Sequence, residues 1–471
     1  MSFIGRHYEI ELLRQANWRK HARLTVVYGR RRIGKTALIQ YAFKDQPFWK
    51  FEGLENETLK NQINNFMHQL SGYCQNIKLS KAPVKNWHQA LVLLDRELKK
   101  RKRLTVFFDE FQWLADMKPN FVSLFKLFWD NHFSKHSGLH MVLCGSVSSF
   151  MVKNVLRSRA LYGRVDTEIH LKALALPEIK LFFAGQRQPQ EILDSAMVMG
   201  GIPQYLLQLD PKLSLMQNLG ELAFRQHGYF FQEYQRLFIS HFGLNQQYEN
   251  ILKQLIDGAK NTERLAKGLH NKSGGTFSKL LSDLELAGFI DRYSPIDRGA
   301  KSKQVLYRIS DEYLHFYFRF IHPNISAIVS GKLSPFQVLA SRDYQQWQGY
   351  AFERLCLKHA AVIADHLRFS GLKYQAGSWF NTRTPQHAGI QIDLLFERAD
   401  KILTVCELKY TDKLDATKII GDFEKKCLAM AAVYPKHGVQ KVLILGRKIA
   451  VHEKVKRYFD SVLFAEDVFL T

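Results

Sequence analysis

Residues 24–37, Leu-Thr-Val-Val-Tyr-Gly29-Arg-Arg-Arg-Ile-Gly34-Lys35-Thr36-Ala37, set an apolar and β-branched run directly before a GxxxxGK[ST] loop, and the helical stretch ALIQYAF follows. Strand, glycine-punctuated loop and helix is the order in which backbone N–H groups can curl around a phosphate at a helix N-terminus. Gly29, Arg30, Arg31, Arg32, Ile33, Gly34, Lys35, Thr36 and Ala37 are therefore the candidate phosphate-binding residues. In such a loop the lysine, Lys35, reaches the β and γ phosphates and the hydroxyl of Thr36 ligates Mg²⁺, which makes ATP or ADP with Mg²⁺ the expected cofactors.

Two more apolar runs stand downstream, LTVFFDE at 104–110 and HMVLCGS at 140–146, separated by amphipathic helical stretches. Continuous apolar strands alternating with helices predict a parallel sheet covered on both faces, an α/β fold. The second run ends in Asp109 and Glu110, which places two carboxylates at the C-terminal end of a buried strand. Asp109 would hold the Mg²⁺ and Glu110 would orient or deprotonate the water that attacks the γ phosphate. The third run ends in Gly145-Ser146, where a polar side chain could sense that phosphate. Arg157, Arg159 and Arg164 are candidates for a charge-neutralising finger, and Arg164, in the turn Leu-Tyr-Gly-Arg, is the choice.

The chain has 471 residues, a length that predicts about three folded units. Hydrophobic residues make up 46% and charged residues 24%, ordinary globular usage that excludes disordered, collagen-like and coiled-coil classes. Lys and Arg number 67 against 44 acids, a net charge of +23. Such a field attracts phosphate polyanions, so nucleic acid, with DNA first, is the expected partner. The excess is uneven: residues 341–471 carry 20 basic and 15 acidic side chains, a net of +5, which leaves +18 for the first 340. Five scattered cysteines fit a reducing, cytoplasmic setting rather than a disulfide framework. No stretch has the length of a membrane span, so no membrane partner is expected, and zinc or protease chemistry is set aside on the expectation that no HxxxH or HExxH pair and no triad-like setting occurs.

From about residue 248, three short helical stretches (YENILKQLI, TERLAKGLH and GTFSKLLSDLELAG) lead into FIDRYSP and a return strand at VLYRIS. This order reads as a winged helix, with Thr262 and Thr276 as N-caps, Gly288 as C-cap and the loop 297–303, DRGAKSK, as the wing. Lys279 on the third helix and Lys272 before it are its candidate DNA contacts, although the module could equally act as a hinge. The aromatic segment EYLHFYFRFIHPN reads as core.

Near the C-terminus, GIQIDLLFERADKILTVCELKY predicts two strands joined by a turn at 398–401. Asp393 sits on the first and Glu407 and Lys409 on the second. A spacing of two puts Glu407 and Lys409 on one face of a strand. Gln391 would face the same way as Asp393, and Glu353 lies on the preceding helix. An acid, then E-x-K on the next strand, with a helical glutamate before both, is the constellation of the PD-(D/E)xK nucleases. In it carboxylates collect Mg²⁺ beside a scissile phosphate and the lysine positions the attacking water. Asp393 follows Ile392 where the motif often has proline.

The opening FIGRHYE resembles the hhGRExE element of the STAND branch of the AAA+ ATPases, with His7 in place of the usual acid and Glu9 keeping the last position. Gly200-Gly201-Ile202-Pro203 resembles the GxP element of that branch, whose proline, here Pro203, lies against the adenine. With GRRRIGKT, FFDEF and LYGR, the chain resembles the archaeal and bacterial ATPase family that carries a C-terminal DUF234 domain, itself similar to the PD-(D/E)xK nucleases. The resemblance implies a P-loop NTPase domain at 1–240 with a helical lid at about 171–240. It further implies a winged helix and connecting helices at 241–335 and a restriction-endonuclease-like α/β domain at 336–471. It implies an ATP-hydrolysing switch or motor coupled to a metal-dependent nuclease-like domain, and leaves open both a homo-oligomer formed on ATP binding and a signalling or scaffold protein that binds without cutting.

Overall fold

The computed structural model of the chain describes residues 3–15, 21–146, 148–158, 161–242, 245–269, 274–296, 305–381 and 389–470. The candidates Arg159 and Lys272 and the loop 297–303 lie outside them. The described chain divides into two compact units. One comprises residues 1–174, 202–204 and 282–288, the other 175–201, 205–281 and 289–471.

The first unit is built on a five-stranded sheet in the order β2-β3-β4-β1-β5, with every pair parallel. The strands are β1 (Arg23–Tyr28), β2 (Phe48–Glu52), β3 (Leu104–Asp109), β4 (Leu139–Gly145) and β5 (Thr167–His170). β3 and β4 are buried along their whole length, as a strand with helices on both faces must be. β2 and β5 sit at the edges, and their mixed burial matches the polar residues that interrupt their sequences. Leu24, Val26, Phe108, Met141 and Leu143 meet the aromatic side chains of Phe66, Phe111, Phe125 and Phe133 in the core.

Three helices, Gln246–Leu255, Thr262–Gly268 and Gly275–Leu286, precede an antiparallel pair, β6 (Ile290–Tyr293) and β7 (Leu306–Ile309); residues 282–286 of the third helix belong to the first unit and all the rest lie in the second. The caps fall one step and two steps before the expected threonines. Asn261 accepts a hydrogen bond from the Arg264 N–H, so Thr262 is the first helical residue. Thr276 likewise lies inside its helix, where the Gly274 carbonyl accepts the first bond, from Ser278 N–H at 3.0 Å. Asparagine outranks threonine as a cap, and glycine equals it, which accounts for both shifts. Gly288, at φ +77°, adopts the left-handed conformation of a helix C-cap. The aromatic segment that follows is core: Tyr313, Phe316, Tyr317, Phe318 and Phe320 are all buried.

A second five-stranded sheet completes this unit, ordered β12-β11-β10-β9-β8. β8 (Tyr374–Asn381), β9 (Ile390–Arg398) and β10 (Ile402–Lys409) run antiparallel in turn, then β11 (Gly438–Leu445) and β12 (Ser461–Phe464) run parallel to β10. The turn between β9 and β10 falls at 398–401, as the sequence predicts, with Lys401 at φ +60°. Among the described residues, no helix is long and apolar enough to cross a membrane.

Candidate functional site

The loop after β1 takes the tight path that its glycines permit. Gly29 has φ +149°, and a Cβ there would stand 2.4 Å from the Leu171 carbonyl oxygen; Gly34 has φ +86°. Arg32 shares the left-handed region at φ +73°, so the loop carries strain at a non-glycine residue too. The helix Lys35–Ala42 starts immediately after Gly34. Lys35 is buried and donates to the Gly29 and Arg30 carbonyls at 3.0 and 2.9 Å, and burial pulls its ammonium below the ordinary lysine range. Arg31 turns away to Glu55 at 2.9 Å.

β3 delivers Asp109 beside this loop. The Thr36 hydroxyl donates to Asp109 Oδ2 at 2.9 Å, and the Lys50 ammonium, from neighbouring β2, stands 3.1 Å from the same oxygen. Burial holds the Asp109 carboxyl above the usual range against the pull of Lys50. Glu110, at φ +50°, is turned toward the end of β4, where Ser146 donates to its Oε2 at 2.7 Å and Gln112 does so at 2.5 Å. Lys35, Thr36, Asp109, Glu110 and Ser146 thus form one connected group. Lys50 and Gln112 join it without any motif to announce them, although FWKFE and DEFQ stand next to the recognised residues. A hydroxyl and a carboxylate sharing a hydrogen bond at the mouth of a phosphate loop are donors that suit Mg²⁺.

Arg6, of the opening GRHYE, is buried, donates to the Lys172 carbonyl and stands 3.5 Å from Glu9. Arg164 grips Asp130 with two bonds, at 2.5 and 2.9 Å, which holds the Asp130 carboxyl down at about 2. His132 and His136 form an HxxxH pair, which corrects the expectation that the sequence holds none. Both rings meet Asp95, at 3.3 and 2.9 Å, and Lys99 takes the same carboxylate at 2.8 Å, so the group is an ion-paired cluster.

In the second unit β9 and β10 bring the C-terminal candidates together. Their register pairs Leu394 with Cys406, which makes Asp393 and Glu407 neighbours one step further along. Both are buried. Glu407 is spanned by two lysines, Lys409 at 2.7 Å and Lys426 at 2.6 Å, the latter from the helix Ala416–Val433. Gln391 donates to Asp393 Oδ1 at 3.3 Å, from the face the alternation predicts. Burial raises the Asp393 carboxyl, with Lys426 opposing. Glu353, from the helix Arg342–Lys358, is also raised by burial and by the nearby Asp393 charge. Lys426 is the residue that the sequence reading missed, since it lies 17 positions beyond the E-x-K strand in a helix of ordinary composition. Among the described residues, no three His, Cys, Asp or Glu side chains form a ready-made metal cage.

A cavity of about 590 Å³ lies wholly within the second unit and is lined by Glu353, Gln391 and Asp393 together with Arg308, Arg319 and Arg354.

Two family profiles match. One, described as an ATPase domain predominantly from Archaea, covers residues 3–209, and DUF234, described as archaeal and bacterial proteins of unknown function, covers residues 317–420. The chain therefore carries an archaeal-type ATPase domain followed by a DUF234 domain. The protein from Methanocaldococcus jannaschii named "Uncharacterized protein MJECL04" is 28% identical over 96% of this chain and 97% of its own length. Among solved structures, the Walker-type ATPase PABY2304 of Pyrococcus abyssi is similar at a TM-score of 0.50 and 19% identity, over 67% of this chain and 96% of that one. The ORC2 protein of Aeropyrum pernix, solved in ADPNP–ADP complexes, gives 0.45 and 15% over 69% and 94%. The first likeness shows the fold: the parallel five-stranded sheet with its helices has the P-loop ATPase architecture, and the chain adds a C-terminal α/β sheet domain.

Proposed function

We propose that this ATPase is an ATP-hydrolysing switch whose C-terminal domain is a metal-dependent, nuclease-like effector acting on DNA. The observation that carries the second half is the placement of Asp393 and Glu407 side by side on β9 and β10, with Lys409 two residues along and Glu353 electrostatically coupled to Asp393. In the nucleotide site Lys35 and the loop N–H groups bind the β and γ phosphates, and Pro203 lies against the adenine. Thr36 and Asp109 hold Mg²⁺, which supplies charge compensation for phosphoryl transfer. Glu110, kept in place by Ser146 and Gln112, orients the attacking water, and release of that contact gives Ser146 its sensing role. Arg164 acts as a finger only once freed from Asp130.

In the C-terminal site Asp393, Glu407 and Glu353 supply carboxylate oxygens for Mg²⁺, and Lys409 positions water at the scissile phosphate. The three helices and the β6–β7 pair form a winged helix in which the exposed Lys279 faces solvent as a DNA contact or the module serves as a hinge. The proposed division is an ATPase domain at 1–240, the winged helix and connecting helices at 241–335 and the nuclease-like domain at 336–471, in a cytoplasmic protein.

The test is incubation of the purified protein with plasmid and single-stranded DNA, Mg²⁺ or Mn²⁺, with and without ATP. Cleavage lost in Asp393→Ala while ATPase activity persists supports the nuclease, and its dependence on Lys35 supports nucleotide control. A second reading, a nucleotide-dependent scaffold whose DUF234 domain binds without cutting, is favoured by the grip of two lysines on Glu407. ATP-dependent DNA binding with no cleavage under any metal would select it.

A further inference from the structure

The 590 Å³ cavity joins three kinds of chemistry on one wall: the carboxylates of Glu353 and Asp393, the guanidinium groups of Arg308 and Arg354, and the rings of Tyr350 and Phe380. A third arginine on the wall, Arg319, is already paired with Asp343. Arg308 lies over the Tyr293 ring at 4.7 Å and reaches Asp291 only at 4.0 Å. Arg354 is held over the Trp347 ring at 5.8 Å, and its buried Nη2 has no hydrogen-bond partner. A buried, unsatisfied guanidinium donor is costly, and an oxyanion is the partner that relieves it best. Burial holds Arg354 down at about 10, with the Glu312 and Glu353 charges opposing it and Arg308 adding a smaller like-charge push. Tyr350 is 51% exposed although it lines this wall, an aromatic surface left open beside the anion-seeking groups.

Size narrows the ligand. A cavity of this volume takes a group the size of a drug-like ligand, which is one nucleotide and not a base pair with both its backbones. We propose that it seats one unpaired nucleotide of a single-stranded nucleic acid, the phosphate on Arg354 and Arg308 and the base against Tyr350 and Phe380, so that Glu353 and Asp393 meet an unpaired strand rather than a closed duplex. The proposal rests on the nuclease-like reading of the same carboxylates for its catalytic meaning, but not for its binding.

The test is fluorescence anisotropy of the full-length protein at low salt without divalent cations, using labelled oligo-dT, oligo-rU and a blunt hairpin duplex. Single strands are expected to bind at least about tenfold more tightly than the duplex. Arg354→Ala and Tyr350→Ala are each expected to weaken them about tenfold, with duplex affinity unchanged. Tyr350→Ala, at a half-exposed position, guards against a folding defect in Arg354→Ala, and retained ATPase activity in both checks the rest of the chain. Comparing dT with rU shows whether the sugar is read. Equal or tighter duplex binding, or single-strand binding indifferent to both substitutions, overturns the proposal. Selective single-strand binding without cleavage upholds it while the catalytic reading falls, and cutting within duplex DNA that ignores Tyr350→Ala upholds the catalytic reading while this one falls.

Discussion

Glu407 is the most heavily committed carboxylate in the C-terminal sheet. It is almost fully buried, and Lys409 and Lys426 each take one of its oxygens. Removing one partner of a buried pair leaves the other charge stranded, at about 3 kcal/mol or more. One feature tempers that figure: Lys409 is 41% exposed, so water recovers part of its charge, whereas Lys426, only 17% exposed, would be left the more costly of the two. We expect Glu407→Ala to lose about 2–3 kcal/mol in urea unfolding, more than Asp393→Asn, which replaces an acid with a side chain that can still accept from Gln391. His140 offers a second residue-scale test. Buried on β4 with one nitrogen 2.8 Å from the Thr25 hydroxyl, it is pushed down to about 3 by burial, with Arg23 adding to the effect. The folded ring stays neutral while the unfolded ring takes a proton below about 6.5, so stability falls as pH drops from about 6.5 toward 3. Its share is about 1.4 kcal/mol per pH unit in that window. Thermal melts between pH 7 and 4.5 are expected to show a shallower decline in His140→Gln than in the parent; parallel declines would exclude the histidine as a source. The phosphate loop and the β3 acids were legible because a named motif fixes their spacing. Lys50 and Lys426 were not, since each reaches its carboxylate from a different element and only the fold brings them there.

Elements differ in the same way. β1, β3 and β4 stand out in the sequence because burial on both faces demands unbroken apolar runs, whereas Trp49 and Phe51 are the only buried residues of β2 and its lysine and glutamate hide the strand. The helix N-caps expected at Thr262 and Thr276 fall one and two residues earlier, and the shift is informative. Asn261, not Thr262, takes the Arg264 N–H at 2.9 Å. Asn261→Ala is therefore expected to cost about 1 kcal/mol in chemical denaturation, and Thr262→Ala clearly less; the reverse order would restore threonine as the cap. Gly200 was picked out for its likeness to an adenine-contacting element, but its own surroundings impose a packing demand. It has φ +62°, and a Cβ would fall 2.1 Å from Glu312 Oε2, the acid that pairs with Lys358 at the end of the helix carrying Glu353. Alanine there must strain the backbone and displace Glu312 together. A loss of about 1–3 kcal/mol follows, and Gly200→Ala should also loosen Lys358, seen as faster amide exchange in that helix.

Over the whole chain the net charge of +23 is spread nearly in proportion to length, +18 in the first 340 residues and +5 in the remaining 131. If nucleic acid is the partner, most of its affinity is counterion release, spread over many weak contacts on that basic surface, while selectivity comes from the few buried groups in the cavity. The two contributions separate in a salt titration. Raising KCl from about 50 to about 200 mM is expected to weaken single-strand binding by tenfold or more, as several phosphate contacts require. Arg354→Ala removes one of these, so it should reduce the log–log slope by about 0.7 while lowering affinity by more than one surface contact would. Exposed Lys279→Ala should shift the slope by a similar amount and leave the preference for single strands intact. A slope near zero would mean that the positive field is not used on nucleic acid at all. An unchanged slope in Arg354→Ala with lowered affinity would mean that its guanidinium holds the cavity wall in place and never meets a phosphate.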